Sequence, residues 1–244
     1  MSNLIFPPKC IVCGKVLPVF QEKPNLCTKC ETALTPLPVR VCPSCHKPLD
    51  AGYDKPFCVF CTKKAAGIDY VISPFAYTKE VRRSILKFKF GGKAFYAESY
   101  AAILYSRLKQ YGKENAFDAI VPVPISKNRR KMRGYSQTLC IAKALSGLCQ
   151  TPALDILCKT KETPPQSTLS KTARATNLNG SIALKPNCGA LPERILLIDD
   201  VYTTGTTVRT CAKILRQGGA KQIAAATVAM HLPDPTEIDL SDYE

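Results

Sequence analysis

With 244 residues, the chain can hold one ordinary domain plus a small appendage and is too long for a single metal-stapled mini-domain. Thirty-four Lys and Arg against 19 Asp and Glu give a net charge of +15, which favours polyanions or anionic membrane surfaces and is silent about fold. No apolar run approaches the roughly 18 residues a membrane span needs, and no charged segment followed by an apolar stretch opens the chain. An intracellular, soluble protein with reduced cysteines is therefore expected.

Eight of the 13 cysteines form four C-x-x-C pairs: Cys10/Cys13, Cys27/Cys30, Cys42/Cys45 and Cys58/Cys61. Two thiolates separated by two residues meet one ion through a tight turn, and two such knuckles close a tetrahedral zinc site. The quartets have spacers of 13 and 12 residues, a near repeat that predicts two structural Zn2+ sites in tandem. A lone C-x-x-C would suit redox chemistry, but four in series have no use there, and iron–sulfur clusters have other spacings. Sequential pairing is preferred, and interleaved pairing also fits the spacing. His46 is read as a neighbour of the site, with replacement of a cysteine ligand as the alternative. Few apolar residues lie between the knuckles, so zinc ligation rather than a core is expected to hold this segment. Eight thiolates on two zinc ions would lower the net charge from +15 to about +11.

From residue 69 the pattern changes to that of an α/β body. A β-rich stretch at 70–77 precedes helical periodicity at 81–90 and 96–108. A short strand at 118–123 leads into a Pro-rich turn, a basic loop and a helix near 135–148. Strands follow near 154–158, 182–184, 195–198 and 223–230, with a helix at 207–217. Strands alternating with amphipathic helices imply a mainly parallel sheet covered on both faces, with ligands beyond the strands' carboxyl ends. The scattered Cys140, Cys149, Cys158, Cys188 and Cys211 are read as small core residues.

One strand end carries chemistry: Ile195-Leu-Leu-Ile-Asp199-Asp200-Val-Tyr-Thr203-Thr204-Gly205-Thr206-Thr207. Gly205 lets the backbone approach an anion, and threonine hydroxyls, exposed N–H groups and a helix N-terminus all favour phosphate. Paired carboxylates cannot bind phosphate but suit the vicinal hydroxyls of a ribose. The bland alternative, an acidic strand end before a threonine helix cap, requires neither the double aspartate nor the glycine turn.

This stretch resembles the signature of type I phosphoribosyltransferases for phosphoribosyl pyrophosphate (PRPP), matching thirteen positions except Tyr202, where an aliphatic residue is usual. The resemblance narrows to the ComF family of competence-associated proteins through Val121-Pro-Val-Pro124, Arg129-Arg130, Arg133-Gly134-Tyr135-Ser136-Gln137, Gln166-Ser-Thr-Leu169, Arg174 and Asn177. Ser136 stands where asparagine is more usual. The resemblance implies an α/β, type I phosphoribosyltransferase fold behind an N-terminal double zinc-ribbon module. The units would be 1–66, 67–232 and an acidic tail at 233–244. It implies PRPP binding by Asp199, Asp200 and Thr203 to Thr207, with Pro124, Ile125, Ser126 and Lys127 as the pyrophosphate loop. Residues 159–174 would form a flap, and Mg2+ would arrive held chiefly by PRPP's own oxygens and by water. In an enzyme, Asp199 and Asp200 would also be the catalytic pair.

Residues 79–93 hold six basic side chains against Glu80, interleaved as Lys87-Phe88-Lys89-Phe90, and residues 127–133 hold five in seven. Aromatic faces and cations together suit single-stranded nucleic acid, so Lys87, Lys89, Lys93, Arg129, Arg130 and Arg133 are candidate DNA contacts. The competing account buries Ile85 and Phe88 and leaves the lysines as a solvated helix face. By resemblance the partners are PRPP, single-stranded DNA and proteins of the competence machinery. The expected place is the cytoplasm, including peripheral contact with the inner membrane face. The readings are a PRPP-binding DNA-handling factor, an active transferase of unknown base acceptor, and a PRPP-sensing module. The tail carries Asp234, Glu237, Asp239, Asp242 and Glu244 with no basic residue, so the rest holds 34 − 14, or +20.

Overall fold

The structure, a computed structural model, describes residues 7–18, 24–33, 40–42, 47–49, 58, 67–160 and 181–232. Cys45, His46, Cys61, residues 161–174 of the expected flap and the acidic tail lie outside them. At the N-terminus, Lys9 bridges Val16 and Val41 bridges Pro48, both antiparallel. Cys10 N–H donates to the Lys15 carbonyl and Cys42 N–H to the Lys47 carbonyl, each at 2.8 Å. The first cysteine of each quartet is thus buried in the same kind of turn, so the sequence repeat is a structural one. Helix α1 (Thr28–Ala33) begins between Cys27 and Cys30.

The expectation that this segment has no core is corrected. Ile11, 1% exposed, joins Val12, Leu17 and Leu26 in one apolar cluster with the body's helices α2 (Lys79–Phe90) and α3 (Tyr96–Gln110). Polar contacts fix the same junction: Ser84 Oγ donates to the Ile11 carbonyl at 2.6 Å, and Asn25 N–H donates to Ser99 Oγ at 3.1 Å. Few apolar residues suffice because they complete a neighbour's core rather than build their own.

The body is a parallel sheet of β1 (Tyr70–Ile72), β2 (Phe75–Ala76), β3 (Ala119–Pro122), β6 (Arg194–Tyr202) and β7 (Gln222–Met230). Its order is β1-β7-β6-β3, with β2 pairing farther along β7, and Ala153 bridges the outer side of β3. The inner strands are buried on both faces, which is why they read as continuous apolar runs. Leu196 and Ile198 face the core under α2, α3 and α5 (Gln137–Cys149), while Ile195 and Leu197 face that under α6 (Thr206–Gln217). At the amino end, Arg194–Asp118 and Arg216–Asp69 ion pairs at 2.6 and 2.9 Å close the strands off.

Three expectations of local structure are corrected. Residues 127–133, expected as a loop, form α4 (Lys127–Arg133): the Ser126 hydroxyl caps its start and Gly134, at φ 80°, ends it. Like charges do not prevent this, because Lys and Arg are good helix formers and none of the helix is buried. The strand near 154–158 is instead β4 (Leu157–Lys159), antiparallel to β5 (Ile182–Leu184) and outside the main sheet. The strand at 195–198 continues to Tyr202, because Asp199, Val201 and Tyr202 stay paired with β7.

Chain order then locates a crevice. From β3 the chain runs outward to Ala153, and from β6 it runs the other way to β7, so the connections diverge between two adjacent parallel strands. That divergence is the topological switch point at which open α/β sheets bind ligands.

Candidate functional site

β3 pairs with β6 only as far as Pro122 opposite Ile198, so Asp199 and Asp200 stand where the loop after β3 turns away. Both carboxylates are half-buried. Asp199 Oδ1 accepts the Asp200 N–H at 2.8 Å. Burial, and next the charge of Asp200, push the Asp199 carboxyl up to about 7, against the Asp200 amide, Lys89 and Lys159, which act to lower it. Near neutrality Asp199 is thus divided between a form that accepts and a form that also donates a hydrogen bond, a match for a sugar diol.

The Thr203 to Thr207 loop follows directly. Gly205 has φ 74°, and a Cβ there would lie 2.2 Å from the Tyr202 hydroxyl. Tyr202, 1% exposed, fills the space beneath the loop, so the aromatic residue at this position is core packing that itself demands glycine. Thr204 and Thr206 hydroxyls are 2.8 Å apart, and Arg209 donates to the Thr204 carbonyl. Gly205, the cap residue of α6, has no side chain to close the helix start, and the Thr206 N–H donates to the Thr204 hydroxyl at a long 3.5 Å, so the loop and a helix N-terminus that favours anions come together.

Across the switch point, Val123 N–H donates to the Ile198 carbonyl at 2.9 Å, and Thr138 Oγ1 donates to the Val123 carbonyl at 2.7 Å. These bonds seat Pro124, Ile125 and Ser126. Ser126 is buried and its hydroxyl accepts the Arg129 N–H at 3.4 Å, which commits it to the α4 cap. Lys127 is exposed at the first position of α4.

The six candidate DNA contacts divide. Lys89 Nζ lies 2.7 Å from Asp200 Oδ2, and the Arg133 guanidinium donates to Gln137 Oε1 at 2.7 Å while lying 5.0 Å from the Phe90 ring centroid. Burial lowers the Arg133 pKa, with the charge of Asp200 acting the other way. Lys87 Nζ approaches the Val12 carbonyl of the first zinc hairpin at 3.5 Å. Arg130 is exposed, Arg129 half-buried, and Lys93 exposed with its ammonium 5.7 Å from the Phe95 ring. Phe88 is fully buried and cannot stack on a base, whereas Phe90 and Phe95 are 58% and 48% exposed.

Sequence reasoning missed a separate groove of about 510 Å³ on the outer face of α2, lined by Lys79, Arg82, Arg83, Leu86, Lys87 and Phe90. Their three- and four-residue spacing was the available signal.

The sulfurs of Cys10, Cys13, Cys27 and Cys30 all lie within 4.8 Å of one another, and those of Cys13 and Cys27 are 3.7 Å apart. Tetrahedral zinc with Zn–S near 2.3 Å needs sulfurs about 3.8 Å apart, so these four thiols fit a structural zinc ion. The first quartet pairs sequentially. Burial would raise the Cys10 thiol, but hydrogen bonds from the Cys13, Cys27 and Val12 amides outweigh it and bring it down to about 7. Of the second quartet, Cys42 is buried and Cys58 half-buried. Among the single cysteines, Cys149 and Cys211 are core residues, and Cys140, Cys158 and Cys188 are half-buried.

Residues 1–63 match the double zinc ribbon domain family. Competence protein F of Haemophilus influenzae is 29% identical over 88% of this chain and 93% of its own length. Competence protein ComFC of Streptococcus pneumoniae is 26% identical over 88% of this chain and 96% of its own. This chain is a relative of the ComF proteins. A purine phosphoribosyltransferase from Pyrococcus horikoshii aligns with 20% identity and a TM-score of 0.35, covering 55% of this ComF-like chain and 73% of that one. The similarity to the two competence proteins spans both the zinc-ribbon segment and the parallel sheet flanked by helices. Among the described residues no helix is long and apolar enough to cross a membrane.

Proposed function

We propose that this chain serves natural competence by binding PRPP at the sheet's switch point and by handling single-stranded DNA. The observation that carries the first half is the meeting of Asp199, Asp200 and the glycine-led start of α6 at the point where two strand connections diverge. The ribose diol would face the carboxylates, its 5-phosphate the Thr203 to Thr207 loop, and the pyrophosphate the turn at Pro124 to Lys127. Mg2+, where PRPP brings it, supplies charge neutralisation of the pyrophosphate, and the chain's own residues orient the sugar. The relatives named for competence support the cellular role. The net charge of +15 and the exposed cations of α2 and α4 support a polyanion partner.

Calorimetric titration with PRPP and magnesium tests the ribose reading. Binding is expected in the wild type and absent in Asp199→Ala/Asp200→Ala with zinc content unchanged; equal binding by both proteins sinks it. For the DNA reading, neutralising about five phosphates predicts a roughly hundredfold fall in single-strand affinity between about 50 and about 200 mM salt. Salt-insensitive binding rules that half out.

A further inference from the structure

The groove on the outer face of α2 belongs to neither the carboxylate site nor the zinc centre. It presents Lys79, Arg82, Arg83 and Lys87 beside the apolar Leu86 and Phe90. Among the described residues, none of Lys79, Arg82 and Arg83 is paired with a carboxylate. Such a surface fits an extended segment in which acidic and apolar residues are interspersed. The chain carries one: residues 233–244 hold Asp234, Glu237, Asp239, Asp242 and Glu244 with Ile238, Leu240 and Tyr243 and no basic residue.

Geometry puts the two within reach. The described chain reaches Leu232 immediately after β7, where the His231 ring lies 6.4 Å from that of Tyr77 and Tyr77 N–H donates to the Met230 carbonyl. Thr78, the next residue, caps α2, so the segment departs beside the end of the helix where the groove begins. Twelve residues can extend about 40 Å, and the twelve residues of α2 rise about 18 Å.

We propose that residues 233–244 dock along the basic groove of α2 and compete there with single-stranded nucleic acid. The docking stands on charge and reach alone; its regulatory meaning rests on the DNA reading above. A tethered segment has an effective concentration near 1 mM, so even an intrinsic affinity of about 0.1 mM weakens a competitor about tenfold.

The test uses the full chain with Asp234→Asn, Glu237→Gln, Asp239→Asn, Asp242→Asn and Glu244→Gln. A dT oligonucleotide should bind this variant about tenfold more tightly than wild type, and adding Arg82→Ala/Arg83→Ala should erase that gain. In a second arm free of DNA, a fluorescein-labelled peptide of residues 233–244 is titrated into the neutralised variant and followed by anisotropy. Binding that is lost with Arg82→Ala/Arg83→Ala is the expected result. A gain that survives the arginine changes marks a general charge effect and overturns the proposal, as does a peptide that does not bind. Peptide binding without any oligonucleotide binding leaves the docking intact and removes the DNA reading instead.

Discussion

The first zinc hairpin and the carboxylate edge both grip α2, the one through Ser84 and Lys87 and the other through Lys89 and the Phe88 carbonyl, which accepts from Tyr135. They differ in what they leave unmet. In the hairpin, four thiols face one another at zinc-ligand spacing, the amides of Cys13, Cys27 and Val12 bond Cys10, and Ile11 is sealed under the body. At the edge, Asp199 is held well above the usual carboxylate range, and the start of α6 is closed only by a long 3.5 Å bond from the Thr206 N–H to the Thr204 hydroxyl. A structural site satisfies its own demands, whereas a binding site carries costs that a ligand can relieve.

The largest effect should come from opening the closed region. Cys10→Ser/Cys13→Ser removes a site whose ligation contributes on the order of 10 to 16 kcal/mol in such modules. Zinc content should fall by one ion per chain, and the melting temperature should drop as Ile11 loses its seat. Unchanged zinc by mass spectrometry would refute Cys10 and Cys13 as zinc ligands.

The open region should respond in binding more than in folding. Gly205→Ala puts a Cβ against the Tyr202 ring in a left-handed conformation, costing about 3 kcal/mol from overpacking and backbone strain together. PRPP affinity is expected to fall at least tenfold by calorimetry. Adding Tyr202→Leu should return the steric part, leaving about 1 kcal/mol for the backbone; no recovery would mean that the ring is not what the glycine accommodates.

How much of this was legible in the sequence follows from the range of each interaction. The C-x-x-C turns and the Asp-Asp-to-Gly205 run are local in the chain, so spacing alone exposed them. The burial of Ile85 and Phe88 was readable as one face of a helix. Lys87, Lys89, Arg133 and Phe90 had the right composition for nucleic acid, but their assignments depend on contacts across 43 to 111 residues, such as Lys89 with Asp200, which no local pattern encodes. The helix over 127–133 is hidden in the sequence because its capping Ser126 reads as part of a phosphate loop and its terminal Gly134 as part of a family motif. Strand β6 was cut short at Ile198 because charged Asp199 and Asp200 look like an end, although their backbones stay paired.

The raised Asp199 pKa makes a smaller, pH-dependent difference between the regions. Its folded value of about 7 lies above the ordinary 3.8, so between those values the folded state holds a proton that the unfolded state has lost. Stability therefore falls as pH rises from about 4 to about 7, and the full penalty persists above that window. Asp199→Asn removes the penalty. Its advantage over wild type should be about 2 kcal/mol larger at pH 8 than at pH 5, allowing for solvent access to the carboxyl. Denaturant titrations at both values check this, and an equal advantage at each would show that burial does not hold the proton.

Ser84→Ala tests the joint itself, with the smallest expected effect. The buried Ser84 hydroxyl donates to the Ile11 carbonyl and lies 2.6 Å from the Tyr100 hydroxyl, so with the Ile11 bond made it accepts from Tyr100. Burial raises the Tyr100 pKa, which keeps that phenol protonated and able to donate. Removing Ser84 deprives both groups of a partner at about 1 to 2 kcal/mol in total. If the zinc hairpin and the carboxylate edge are independent users of one helix, global stability falls by that amount while zinc content and PRPP affinity hold at wild-type values. A fall in PRPP affinity would instead mean that α2 transmits the hairpin's state to Lys89, and the two regions would then be a single coupled device.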